Sequence, residues 1–598
     1  MILVLGFVFF NVFSYLCNEN TKQIVLGSMD RKKTLWLLIA ICVLTVIPFL
    51  GIYEYNTKGE PRESIVSYTM IETGNWILPR NSVGEMAYKP PFFHWCVAAV
   101  SKVYGEVNEF TSRVPSAVAY IVMTVAVFLF YRRRRDTRTA LVTALVAFTS
   151  WELHRQGFNC RVDMVLTAFT VGAMLLLYRW YERGMRGVPL WAILLMSLGT
   201  LTKGPVGSLI PCIVMGVFLL CRRVNFFRAF FSMIGFVILS LFIPAVWYYA
   251  AWQQGQQEFL DLMLEENIGR MTNTMSYDSC VEPWHYNFLT LLIGYLPWVV
   301  LCLFLLFALK WKEIGGKLKR DFSFRRLLDF DAYDSVDLFS FLSVVVIFVF
   351  YCIPQSKRSV YLMPIYPFIG YFLARLLFWM ETHHRKVMNA YGAVLSVLGL
   401  LVAVVFVVLK FVPVDETWFH GRHGYDNYSM VLALQQAGNW WQWLVWAFGV
   451  LVLAGWWKSQ RGVYGLIALI VAVYLHVDAI YKPAVLNAKS VKGVAAVVDQ
   501  LIPESKGKLY EFIELGVLAK GDPVHYFEMN FYMHDRVGSF YHEKPQSGYL
   551  MIGTEDAEKW LPEFEKEGYR FKQVFTSGKK RVFKQPLLVL QFNKTLAD

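Results

Sequence analysis

The stretch Phe92-Phe93-His94-Trp95-Cys96-Val97-Ala98-Ala99-Val100-Ser101-Lys102-Val103-Tyr104 decides how the whole chain is threaded. It is apolar, but it falls short of the roughly 20 residues needed to cross about 30 Å of hydrocarbon at ~1.5 Å per residue. If it crossed, the run Arg132 to Arg135 beyond the next apolar segment would face outward, against the bias that keeps Lys and Arg of short loops in the cytoplasm. Laid along the membrane surface as a juxtamembrane helix carrying Lys102, it puts that run on the same side as Arg31-Lys32-Lys33. Arg183 with Arg186, Arg222-Arg223, the segment from Lys310 to Arg326, Arg385-Lys386 and Lys458 to Arg461 then follow. Every strongly basic short loop agrees.

The composition demands such a reading. Of 598 residues 56% are hydrophobic and only 17% charged, and mean hydropathy is +0.41. These values exclude an ordinary soluble domain, a disordered chain, collagen and a small disulfide scaffold. The net charge of +13 sits in short clusters between apolar runs, so it describes topology and not a nucleic-acid surface. The fold class expected is a polytopic α-helical membrane protein. Its spans are read near 34–53, 112–131, 138–153, 163–180, 189–203, 204–221, 229–252, 285–309, 337–353, 359–378, 388–411, 439–456 and 462–480, thirteen in all.

An odd number of spans leaves residues 481–598 outside, together with 54–111, 253–284 and 412–438. That tail has ordinary soluble composition, with alternating stretches such as Lys508 to Ile513 and Arg581 to Phe583, and reads as a small α/β domain on the periplasmic side. Residues 29–480 form the membrane domain. Residues 1–28 read as an uncertain leader, because Met29 followed by Asp30-Arg31-Lys32-Lys33 has the form of a start with a basic flank.

The first outer loop concentrates polar chemistry: Gly59-Glu60-Pro61-Arg62-Glu63, a helix-compatible run to Met70, then Thr73-Gly74-Asn75-Trp76-Ile77-Leu78-Pro79-Arg80, then Tyr88-Lys89-Pro90-Pro91. Further on come Asn108 to Ala117, Arg161-Val162-Asp163-Met164, Leu201-Thr202-Lys203-Gly204-Pro205, Glu266-Asn267-Ile268-Gly269-Arg270, Leu296-Pro297-Trp298, Ser356-Lys357-Arg358 and Tyr361-Leu362-Met363-Pro364. In this order, over about 300 residues, they resemble the lipid-linked glycosyltransferases of the GT-C fold, specifically the bacterial aminoarabinose transferase-like proteins related to protein O-mannosyltransferases. The family usually opens its first loop with two adjacent acids and has an acid before Lys-Pro-Pro. Here those places hold Gly59 before Glu60, and Tyr88.

The resemblance implies an integral-membrane enzyme that moves a sugar from a polyprenyl-phosphate donor, such as undecaprenyl phosphate, to lipid A or another envelope glycan or protein, with inversion. An anionic, lipid-tethered leaving group needs cations at the interface, and an acceptor hydroxyl needs a carboxylate to take its proton. Lys89, Arg270, Lys357 and Arg358 are cations on the disfavoured outer side, and Arg can grip a phosphate in bidentate fashion. Glu60 is then the general base, with Asp163 orienting the acceptor or Arg62. Arg62, Tyr88, Tyr361 and Lys203 are the substrate-positioning candidates.

Each has a plainer alternative: Glu60 pairing Arg62, Asp163 neutralising Arg161, Lys89 and Arg270 snorkelling to headgroups, Lys203 marking a helix break. The tryptophans and tyrosines of Trp247-Tyr248-Tyr249 and of Trp440, Trp441 and Trp443 read as an interfacial belt. No cofactor is expected; His94, His154 and His285 lack ligand spacing, so a divalent metal has no support. The partners implied are the lipid-linked donor, the envelope acceptor and membrane lipid, without nucleic acid. The competing class is a transporter or lipid flippase, which would place charge at midspan; segments such as Ile210 to Leu220 are nearly free of it.

Overall fold

A computed structural model describes residues 31–269, 281–311, 329–421, 423–458, 462–515 and 524–595. The leader 1–28 and Arg270 lie outside the described residues. The chain starts with α1 (Arg31–Val46), then α2 (Gly59–Thr73) and α3 (Phe92–Tyr104) in the first outer loop, then α4 (Glu109–Arg134), α5 (Thr137–Phe148), α6 (Trp151–Gly157), α7 (Val162–Glu182), α8 (Leu190–Lys203), α9 (Val206–Cys221) and α10 (Phe226–Leu264). The 92–104 run is a helix of 13 residues, as its apolar length requires.

All thirteen expected segments coincide with apolar helices, but their lengths differ. Eight described helices are long and apolar enough to cross, and a ninth if the bent pair Tyr286–Gly294 and Trp298–Ala308, folded by 99°, counts as one span. Thr137–Phe148, Leu190–Lys203, Val206–Cys221 and Trp440–Gly455 are shorter. At ~1.5 Å per residue they do not reach across about 30 Å. By length and composition alone, eight or nine spans are supported among the described residues, and the count of thirteen is not confirmed.

Small residues explain how the short helices pack. A Cβ on Gly207 would collide with the backbone of Gly199, so α8 and α9 meet backbone to backbone. Thr200 and Ser208 share a hydrogen bond at 2.7 Å, Ser240 of α10 donates to Ser208 at 2.8 Å, and Ser197 donates to the Ser240 carbonyl at 2.6 Å. On the outer face of α10, Phe231, Phe242 and Val246 are exposed, as a lipid-facing stripe requires.

The basic loops gather at one end of the bundle. Arg134 grips Glu182, Arg135 reaches Asp337 at 2.9 Å, Arg375 reaches the same carboxylate at 2.7 Å, and Arg138 meets Glu381 at 2.5 Å. Cations in the last turn of α4 also complement its dipole. The segments read as outer meet at the opposite end. Asn487 accepts from the Glu54 amide at 2.8 Å, Arg80 binds Glu258 at 2.7 Å and Lys579 reaches Glu416 at 2.5 Å.

The C-terminal part carries a five-stranded sheet of β1 (Leu509–Phe512), β2 (Val537–Ser539), β3 (Ser547–Gly553), β4 (Tyr569–Val582) and β5 (Gln585–Lys594) in the order β2-β1-β3-β5-β4. β1 runs parallel to β2 and β3, while β5 is antiparallel to β3 and β4. Successive residues point to opposite faces, and both faces are covered. Leu509, Met551 and Val589 pack under Val498 and Met529, while Tyr510, Leu550 and Phe592 pack against Phe540 and Phe564.

Candidate active site

Between the first outer loop, the far end of α10 and the C-terminal sheet domain lies a cavity of about 360 Å³. The helix α2 forms one wall with Arg62, Glu63 and Thr69, and the following loop adds Glu85, Tyr88 and Lys89. The chain of α10 bends at Gln256, whose φ of 46° is left-handed, and brings Glu258, Leu262, Glu265 and Glu266 across the opening. Phe527 of the C-terminal domain completes it.

At the cavity's inner wall Glu63 sits between Lys89 and His94. Lys89 Nζ donates to Glu63 Oε1, and His94 Nε2 lies 2.8 Å from Oε2. Nδ1 of His94 has no hydrogen-bond partner among the described residues, which assigns the ring proton to Nε2 and makes it the donor. Burial alone would raise Glu63, but the Lys89 ammonium, helped by His94, holds the carboxyl well below the usual range. Lys89 keeps two further N–H donors for another partner. Arg62 donates to the Tyr88 hydroxyl at 3.2 Å and lies 5.9 Å from the Phe527 ring.

Glu60, expected as base, turns the other way. Both of its oxygens are held by Arg113, at 2.8 and 3.0 Å, and Oε1 also accepts from the Cys160 amide at 2.9 Å. Burial would raise it, and the Arg113 guanidinium outweighs that and lowers it. Arg113 is wholly buried, donates to the carbonyls of Leu50 and Tyr53 at 2.7 Å each, and stacks on the Tyr53 ring at 3.9 Å. Glu60 is thus the clasp between α2 and α4, and it does not line the cavity; its partner is Arg113 and not Arg62.

The other expected residues divide. Lys89, Arg62 and Tyr88 line the cavity. Asp163 pairs with Lys203, which lies 4.4 Å from the Tyr361 ring, so three of the expected residues form a second cluster. Asp163 remains within electrostatic reach of Arg161 and Lys89. Lys357 is buried and donates to the Glu282 carbonyl at 2.9 Å; Nε of Arg358 has no partner among the described residues. Arg270 lies outside the described residues. Trp247, read as part of a lipid belt, is buried and donates to the Ile77 carbonyl at 3.0 Å, tying α10 to the first loop, whereas Tyr249 and Trp440 are exposed.

The C-terminal domain is latched to this site. His525 bridges Glu85 at 3.0 Å and Glu511, and Asp535 accepts from Ser82 N and Oγ at 3.0 and 2.9 Å and from Thr69 at 3.2 Å. Burial would lower His525, but Glu511 and Glu85 push it up to about 10. Glu63, His94, Arg113, Arg161, Glu85 and His525 were not picked out by the sequence as site residues. One signal was there: four residues on a helix return to nearly the same face, so Glu63 stands one turn above Gly59.

A family model described as dolichyl-phosphate-mannose-protein mannosyltransferase matches residues 88–248. A protein of Aquifex aeolicus is 29% identical over 347 residues, 56% of this chain and 63% of its own, so this match spans less than two thirds of that relative. The undecaprenyl phosphate-alpha-4-amino-4-deoxy-L-arabinose arabinosyl transferase of Edwardsiella ictaluri is 22% identical over 546 residues, 89% of this chain and 92% of its own. The crystal structure of ArnT from Cupriavidus metallidurans bound to undecaprenyl phosphate superposes with a TM-score of 0.62 at 15% identity, covering 94% of this chain and 98% of that one. The architecture is therefore that of the ArnT structure, the GT-C fold. Within it, the sequence likenesses are to the ArnT type.

Proposed function

We propose that the chain transfers a sugar from a polyprenyl-phosphate donor, such as undecaprenyl phosphate, to a hydroxyl or phosphate of an envelope acceptor at the periplasmic face of the inner membrane. The observation that carries this reading is the outer-end cavity, where a carboxylate and a cation with spare donors share one wall beside the membrane helices. Lys89 meets the donor phosphate, joined by Arg270, Lys357 and Arg358. Arg62 and Tyr88 hold the sugar or acceptor, and the cluster of Asp163, Lys203 and Tyr361 orients them from behind. Attack from the side opposite the phosphate inverts the anomeric carbon. The names of the arabinosyl transferase relatives make an undecaprenyl-phosphate-linked amino sugar the first donor to test, and lipid A, which the family resemblance implies, the first acceptor.

Mass spectrometry of lipid A and envelope glycans from cells with and without the gene tests it. One sugar-bearing species is expected to disappear on deletion and return with the wild-type chain. Unchanged glycans in both extracts would overturn the assignment.

A further inference from the structure

We infer that Glu63, and not Glu60, is the carboxylate that takes the proton from the acceptor hydroxyl in the transfer proposed above. The inference rests on that reading and adds the identity of the base.

Three observations converge. Glu60 is turned away from the cavity: Arg113 binds both of its oxygens and the Cys160 amide binds Oε1 again, inside the wall. The neighbouring position is closed as well. A Cβ built on Gly59 would fall within the Arg161 guanidinium, so no acid stands there unless Arg161 moves. One helical turn further along the same face, Glu63 lines the cavity. Each of its oxygens accepts one hydrogen bond, from Lys89 and from His94, and a carboxylate oxygen accepts two. A substrate hydroxyl therefore finds one open acceptor site on each.

The pairing also suits the step. The acceptor O–H bond breaks and its proton goes to Glu63. The acceptor oxygen bonds to the anomeric carbon, and the bond from that carbon to the phosphate oxygen breaks with its electron pair left on the phosphate. Lys89 touches the base on one side and has donors free for that growing charge on the other, so one ammonium links proton removal to leaving-group departure. His94 fixes the carboxylate plane. The proton then leaves Glu63 to water through the open cavity. Arg161, standing where a side chain at position 59 would be, adds positive charge near Lys89.

The test uses the full-length chain, purified for binding of undecaprenyl phosphate by native mass spectrometry and expressed in the deletion strain for turnover. Glu63→Gln should lower turnover by at least about 100-fold, the scale of a lost general base, with undecaprenyl phosphate affinity within about threefold of wild type. Gly59→Asp with Arg161→Ala in that background should restore at least a tenth of wild-type turnover. If Glu63→Gln does not fold, Glu63→Asp decides: it keeps the charge but withdraws the oxygens, and about a tenfold loss of turnover at unchanged affinity is expected. Turnover in either variant above half of wild type would overturn the role of Glu63. A wild-type chain that neither binds undecaprenyl phosphate nor alters any envelope glycan would instead overturn the glycosyl-transfer reading itself.

Discussion

The two ends of the helical bundle handle charge differently. At the basic end, Arg134, Arg135, Arg138 and Arg375 are each answered by a carboxylate from another helix, so the pairs act as struts. At the other end, the cations and acids of the first loop surround a hollow, and Lys89 and Glu63 leave bonding capacity directed to it. The lesson is that an ion pair is structural or chemical according to what its unused donors and acceptors face. Glu60 and Glu63 repeat the lesson within one helical turn: the first belongs to the scaffold, the second to the cavity.

Breaking the scaffold should show the largest effect. Arg113→Ala leaves Glu60 buried without its partner, a change that costs about 3–5 kcal/mol in such settings. Loss of folded protein by size-exclusion chromatography in detergent is expected; a variant that folds with full thermal stability would return Glu60 to the list of adaptable residues. A smaller effect is expected at the latch of the C-terminal domain. His525→Ala should cost roughly 1–3 kcal/mol by leaving Glu85 and Glu511 without their shared donor, read as a lowered thermal midpoint. Because His525 is raised from 6.5 to about 10, its contribution is complete below pH ~6.5 and is lost as pH rises through about 10. The wild-type midpoint should fall over that window and the His525→Ala midpoint should fall less. The smallest effect belongs to the basic end: Arg138→Ala removes a half-exposed strut and should cost below about 1 kcal/mol, with undecaprenyl phosphate binding unchanged.

Features that depend on local length and charge were legible in the sequence. The segment 92–104 was too short to span and is a separate helix, the basic loops share one end, and the alternating stretches after 481 form a sheet covered on both faces. Lys89, Arg62 and Tyr88 were legible as cavity residues because a Lys-Pro-Pro turn and a polar helix sit at one interface. What stayed hidden depends on contacts across the chain. Arg113 finds Glu60 over 53 positions, and Arg161 fills the space above Gly59 from the residue preceding α7; nothing in either local pattern announces the meeting. The latch between His525 and Glu85 joins residues 440 positions apart. The shortness of Leu190–Lys203, Val206–Cys221 and Trp440–Gly455, by contrast, was legible, since the segments read at 189–203, 204–221 and 439–456 exceed those helices by only one or two residues.

The account depends most on Lys89 receiving a polyprenyl phosphate in the outer cavity. Titrating undecaprenyl phosphate against the purified wild-type chain and Lys89→Ala, with native mass spectrometry as the readout, tests this directly. Saturable one-to-one binding by the wild type, weakened at least about tenfold in Lys89→Ala at equal thermal stability, is the predicted result, the loss being that of one charge-assisted contact. Equal affinity in the two proteins would contradict it.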